Sequence, residues 1–197
     1  MLPLLVSLTL LLPAGPATAP GAPATWTIDP VHSEISFRIR HFVSKVRGGF
    51  TDWDGTITGD PADWSTGAVE VHIRTASVTT GNDRRDNDLR SARFFAADSF
   101  PEITFRSTKI EVAGREVTIA GDLTMRGVTR SVVLKGEYLG LAPGKNGADK
   151  IGFEATTTIN RQDFGVSYNR VVEGGGMLLG DDVEITLGIE ANKKVAE

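Results

Sequence analysis

From residue 25 onward apolar and polar side chains change places at every second position, and this alternation restricts the possible fold more than any other feature of the chain. Ile35, Phe37 and Ile39 fall on one side of an extended backbone, with Ser36, Arg38 and Arg40 on the other. Val69, Val71 and Ile73 alternate in the same way with Glu70, His72 and Arg74. Phe153, Ala155, Thr157 and Ile159 alternate with Glu154, Thr156 and Thr158, and Val183, Ile185, Leu187 and Ile189 with Glu184, Thr186 and Glu190. A period of two belongs to strands with one dry and one wet face. Weaker stretches over residues 49–58, 103–112, 115–125 and 129–139 bring the expected total to roughly eight strands. Gly59-Asp60-Pro61, Ala113-Gly114, Arg126-Gly127 and the Pro143-Gly144-Lys145-Asn146-Gly147 run supply short reversals between them, which implies antiparallel neighbours. The expectation is an all-β fold, either an eight-stranded antiparallel barrel or a sandwich, because periodicity does not separate the two.

One segment departs from the pattern. Just before RDNDLRSARFFAADSFPEITFRS (85–107), Asn82 or Asp83 can cap a helix, and within it Leu89, Ala92, Phe94 and Phe95 recur at spacings one helical face would bury. Pro101 ends the segment, and Ile103 and Phe105 resume the period of two. A short helical insert over residues 83–97, carrying paired phenylalanines at the edge of the sheet, is expected.

The first 24 residues carry no charge, and an apolar run from Leu2 to Leu12 is followed by Pro, Ala, Gly and Thr. This has the outline of a secretory signal over residues 1–24, with small-x-small cleavage sites after Ala19 and after Ala24, although no Lys or Arg precedes the apolar run. Export would place the mature domain, residues 25–197, in the periplasm or outside the cell. The chain has no cysteine, so disulfides, thiol chemistry and Cys-based zinc sites are excluded, and core burial must hold the fold. A net charge of -4, with no basic run longer than Arg84-Arg85, argues against nucleic acid as a partner. That pair reads as a solvated face.

Chemistry-bearing motifs are sparse. His32, His41 and His72 never stand at i, i+2 or i, i+4, so no metal site is expected. His72 belongs to the wet phase of its strand. His41 continues the inward phase of Ile35, Phe37 and Ile39, and reads either as a hydrogen-bonded core or rim residue or as a polar contact for a ligand head. Asp52 with Asp54, and Asp181 with Asp182, sit among Gly and Thr without the apolar setting that makes a catalytic acid. Asp163-Phe164-Gly165 has no phosphate loop to accompany it, and Gly174-Gly175-Gly176 lacks the strand-to-helix setting of a phosphate cradle. Nothing calls for a cofactor. What remains is nine phenylalanines spread over most strands and the insert, as either packed core or the wall of a tunnel.

Taken together and in order, WTIDPVHSEISFRIRHF (26–42), KVRGGFTDWDGTI (45–57), TASVTTGNDRRDNDLRSARFF (75–95), SFPEITFRST (99–108), GDLTMRGVTRSVVL (121–134) and the stretch from Gly152 through Asp163-Phe164-Gly165 to the last strand resemble the YceI-like family of polyisoprenoid-binding proteins. The resemblance implies a lipocalin-like eight-stranded barrel with a helical insert, enclosing an elongated apolar pore for a polyprenyl chain of quinone or prenyl diphosphate type. It implies export, transient contact with a membrane surface, and a monomer or homodimer. Phe37, Ile39, Phe50, Ile73, Phe94, Phe95, Phe105, Phe153 and Phe164 are then the expected pore residues, and His41, Lys45 and Arg90 the polar mouth. Relatives often carry His where Asp88 stands and Asp where Arg93 stands; these two opposite charges can pair locally. The expected role is a carrier or sequestering protein without catalysis. The rival readings are an isomerase or hydrolase acting on an apolar substrate in the same pocket, and a solidly packed interaction barrel.

Overall fold

The computed structural model describes residues 23–194; the expected signal segment lies almost wholly outside them. Eleven strands form one antiparallel sheet: β1 (Ala24–Ile28), β2 (Glu34–His41), β3 (Ser44–Phe50), β4 (Trp53–Asp60), β5 (Asp63–Arg74), β6 (Val78–Thr79), β7 (Glu102–Ala113), β8 (Glu116–Met125), β9 (Val128–Ala142), β10 (Lys150–Asn160) and β11 (Leu179–Lys193). One α-helix, α1 (Asp83–Arg90), lies between β6 and β7. The order β1-β4-β5-β7-β8-β9-β10-β11 returns to β1, which closes an eight-stranded barrel.

The remaining strands extend three of the staves. β11 is long enough to pair with two partners along one edge, β1 through residues 191–193 and β2 through residues 179–188. β1 and β2 are thus two halves of one stave, broken at Asp29-Pro30, and β3 and β4 are halves of the next. The expected strand over residues 49–58 crosses that second break, at the bend of Thr51 and Asp52. β1 itself was not among the expected strands, since five residues around one tryptophan give too short an alternation to stand out.

The corner between β1 and β2 is held by side chains. Asp29 accepts from Val31 N at 2.9 Å and meets His32 Nδ1 at 2.8 Å. The hydrogen bond to His32, then that from Val31, lowers the Asp29 carboxyl from 3.8 to about 2. Glu190 of β11 adds an ion pair with Lys150 at 2.5 Å. Asp29, His32 and Glu190 are the one metal-like grouping among the described residues, but the Lys150 ammonium already neutralises Glu190. The cluster is a latch on the outer wall.

The inward phases meet as expected. Ile35, Ile73, Ile103, Phe105, Phe153 and Ile159 are buried, and Val183, Ile185 and Leu187 pack half-buried against them. Gly121 is required by this packing: a Cβ there would collide with the Phe105 ring and with the Arg106 carbonyl.

Candidate functional site

The barrel is hollow. A cavity of about 530 Å³ runs inside it, walled by the inward residues of the strands. That volume lies within the range of ligand pockets, roughly 300–1,000 Å³. At one end Trp64, Tyr138 and Phe153 form a floor, with ring centroids 5.7 Å (Trp64 to Tyr138), 5.4 Å (Trp64 to Phe153) and 5.0 Å (Tyr138 to Phe153) apart. Two of these contacts are edge-to-face, the favoured geometry of aromatic quadrupoles. Burial of the Tyr138 hydroxyl raises its pKa above 10.0.

The other end is a mouth built from α1, the turns that follow it, and the loop between β10 and β11. Asn82 caps α1, accepting from Arg85 N at 3.0 Å. The eight residues of α1 show two faces. Arg84, Arg85, Asp88 and Leu89 border the cavity. Asp86 and Arg90, at i and i+4, turn instead to the sheet. Asp86 is buried and accepts from Thr80 N at 2.9 Å, from Thr80 Oγ1, and from Thr79 Oγ1 at 3.3 Å. Burial pushes its carboxyl up, but the hydrogen bonds from Thr80 and Thr79 together with Arg90 leave it below the usual value.

The helix stops before the phenylalanines. Ser91, in an extended conformation, ends it, and residues 91–99 form turns held by Phe95 N to Leu89 O at 3.0 Å and Ala97 N to Arg90 O at 2.9 Å. The expected helical face through Phe94 and Phe95 is therefore corrected: successive turns, with Ala96 at φ 51, aim the two rings differently. Phe95 meets Phe50 at 5.9 Å, and Phe50 meets Phe37 at 6.0 Å, so this ring joins the β2–β3 wall. Phe94 meets Tyr168 at 5.2 Å on the opposite side. The insert spans the mouth from one rim to the other.

The far rim depends on Arg161. Its side chain is 4% exposed and binds Gly180 O at 2.8 Å, Val166 O, Tyr168 O at 3.0 Å and Asp181 Oδ1 at 2.9 Å. Burial lowers its pKa while Asp181 opposes the change. One guanidinium thus fixes a loop that would otherwise bury orphan carbonyls.

Of the expected pore residues, Phe37, Ile39, Phe50, Ile73, Phe94, Phe95, Phe105 and Phe153 line the cavity. Phe164 does not: it is 2% exposed within the core cluster. Of the expected polar mouth only His41 lines the cavity. Lys45 pairs in register with Arg40, on the outer phase of the β2–β3 hairpin, and binds Glu184 at 2.6 Å. That hydrogen bond holds Glu184 below the usual carboxylate range. Arg90 is used structurally, donating to Ala76 O at 2.6 Å, Val78 O at 2.9 Å and Asn87 Oδ1 at 3.0 Å.

The arginines that do reach the mouth are others. Arg84, Arg85, Arg93 and Arg170 border the cavity, together with the buried Arg161. Arg85 is bonded to Thr80, donating to its Oγ1 at 2.7 Å and its carbonyl at 3.0 Å. Arg93 pairs with Asp88 at 3.2 Å, and its guanidinium lies 3.9 Å above the Tyr168 ring, so the opposite charges at these positions meet. Among the described residues no hydrogen bond or ion pair holds the side chains of Arg84 and Arg170. The Arg84-Arg85 pair is exposed, as a solvated face would be, yet it stands at the rim of the cavity. No sequence signal picks out Arg170, which an irregular loop delivers. Residues 84, 85, 88 and 89 could have been grouped by helical spacing.

A YceI-like domain model matches residues 26–191, nearly the whole described barrel. The chain belongs to the YceI-like family. A UPF0312 protein of Staphylococcus aureus (strain bovine RF122 / ET3-1) is 37% identical over 167 residues, covering 84% of this chain and 95% of that one. The crystal structure of the Campylobacter jejuni YCEI protein superposes with a TM-score of 0.69 at 35% identity, over 78% of this chain and 88% of that one. A polyisoprenoid-binding domain from Saccharophagus degradans, implicated in plant cell wall breakdown, shares the fold at a TM-score of 0.67 and 14% identity, over 87% of this chain and 99% of that one. None of these three relatives is named as an enzyme.

Proposed function

We propose that this YceI-like protein binds a polyisoprenoid lipid and carries or sequesters it outside the cytoplasm, without transforming it. The observation that carries this reading is the cavity itself: a long apolar wall, closed by aromatic rings at one end and bordered by arginines at the other. Each buried methylene is worth about 0.8 kcal/mol, so one five-carbon isoprene unit contributes on the order of 4 kcal/mol before ordering costs. The tail therefore supplies affinity. The mouth supplies choice: the unpaired side chains of Arg84 and Arg170 suit an anionic head, such as a diphosphate, better than a neutral quinone. The name of the Saccharophagus degradans relative points to the same ligand class.

The uncharged apolar leader supports export. Ala24 already pairs with Gly59 in β1, so cleavage after Ala19 leaves the first strand whole, whereas cleavage after Ala24 removes that pair.

Native mass spectrometry of protein purified from its own host tests the reading. A retained polyprenyl lipid, together with saturable uptake of polyprenyl diphosphate, is expected. Repeated isolation of an empty barrel, combined with no saturable uptake of any polyprenyl lipid, would overturn it.

A further inference from the structure

The mouth of the cavity is flanked by apolar side chains that nothing in the barrel covers. The two-residue turn between β2 and β3 consists of Phe42 and Val43, 55% and 88% exposed. Beside it, the loop before β11 presents Val171 and Met177, 69% and 53% exposed, which face each other across an isolated bridge. The two hairpins are tied together: Phe42 N donates to Leu178 O at 2.7 Å, and Leu178 N donates to Arg170 O at 2.8 Å. Four exposed apolar side chains thus stand on two linked hairpins at the open end, at the turn itself in the first and, in the second, at the bridge beneath a turn of Val172, Glu173 and three glycines. The other large exposed apolar residues, Val31, Val133, Leu139 and Leu141, lie along the wall away from those tips. Phe42 also holds φ 53, a left-handed conformation that bulky residues seldom adopt and that the fold here maintains at an exposed tip.

We propose that these two hairpin tips are a membrane-docking surface that inserts into the interfacial layer of a bilayer bearing anionic headgroups. The occupant follows from what surrounds the tips. Arg84 and Arg170, free of protein partners among the described residues, are exposed at the same end and complement anionic lipid. The cavity beside them is walled by hydrocarbon-compatible side chains, and His41 and Leu179, next to the tips, line it. Lipid leaving a bilayer between the hairpins would pass into the cavity without crossing water. Exposed apolar side chains on short hairpins beside these cations suit contact from the surface of a bilayer. This inference deepens the lipid-binding reading and rests on it for the source of the cargo, but the contact itself is separable.

The absence of cysteine allows a clean test. A single Val43→Cys substitution in the full chain, labelled with the polarity-sensitive fluorophore NBD, is mixed with vesicles of phosphatidylethanolamine and phosphatidylglycerol; Glu116→Cys at the other end is the control. A blue shift at position 43 and none at 116 is expected. Unlabelled Val43→Asp/Val171→Asp should bind these vesicles at least tenfold more weakly than the parent chain. Both proteins keep the N-terminal apolar segment, so that segment does not account for the difference. Uptake of polyprenyl lipid from detergent micelles should be unchanged in the double variant.

An unshifted label at position 43, or equal vesicle binding by the parent and the double variant, overturns docking. So does a blue shift that needs no vesicles and grows with protein concentration, which would assign the tips to a second copy of the chain. Loss of micellar uptake in the double variant also overturns it, because the hairpins would then belong to the lipid site. A parent chain that takes up no lipid from micelles, yet shows the vesicle-dependent shift, sinks the carrier reading and leaves docking standing.

Discussion

At the floor of the cavity Trp64, Tyr138 and Phe153 have ring centroids within 5.7 Å of one another, all three delivered by strands, with a bulge at Gly152-Phe153. At the mouth Phe94 and Phe95 are delivered by turns, lean on different neighbours, and share the rim with five arginines. The floor is closed by packing, and packing tolerates little change. The mouth is held by hydrogen bonds to backbone carbonyls, through Arg90 and Arg161, which leaves the remaining polar side chains available to a ligand. The contrast indicates that stability is concentrated at one end and discrimination at the other.

The sharpest way to break this comparison is Trp64→Ala. Truncating a buried tryptophan should cost about 4 kcal/mol in urea unfolding, whereas Phe95→Ala, half-buried at the mouth, should cost about 2 kcal/mol or less while weakening lipid uptake more. Equal stability losses would mean that the mouth is as tightly packed as the floor. Arg161→Met comes next: it strands several carbonyls of the rim and should cost about 3 kcal/mol, with amide exchange rising first across residues 165–178. Uniform exchange throughout the barrel would show that Arg161 supports the whole fold instead of the rim.

Replacing Arg84 and Arg170 together by Ala should shift stability by no more than about 0.5 kcal/mol. Affinity for a polyprenyl diphosphate should nevertheless fall about tenfold per arginine, roughly 1.4 kcal/mol each, while that for the uncharged polyprenol stays level. Calorimetric titration with both lipids measures the difference, and an equal loss for both would remove the head-group role. The smallest effect belongs to the wall between the two ends. Because the Asp29 carboxyl is lowered from 3.8 to about 2 in the folded protein, its contribution is complete above pH 4 and disappears as the pH falls toward 2. Asp29→Asn should flatten that part of the acid-unfolding curve without altering lipid uptake.

Much of the wall is legible in the alternation of the sequence. A period of two assigns each residue to a face, so Phe37, Ile39, Ile73 and Phe153 could be placed inward correctly. The same rule, applied across the β2–β3 hairpin, would have put Lys45 outside with Arg40. Phe164 was misplaced because composition alone does not distinguish a ring in a wall from a ring behind it. Arg90 was misplaced because an eight-residue helix has two faces, and only the position of β6 decides which of them meets the cavity.

Alternation is a local property, set by the pleat of each strand, and it was enough to require a sheet with one apolar face. Closure was not local. It depended on β11 being long enough to accept β1 and β2 along one edge, and on a break at Asp29-Pro30 that lets one stave change partners. The hollow interior followed from closure, since a ring of eight strands leaves room that these side chains only partly fill. The collar of arginines followed from α1 with its trailing turns and the loop before β11 meeting at that opening. Residues 84 and 170 are far apart in the chain and border one cavity only because the barrel brings the helix and the loop that carry them to the same end.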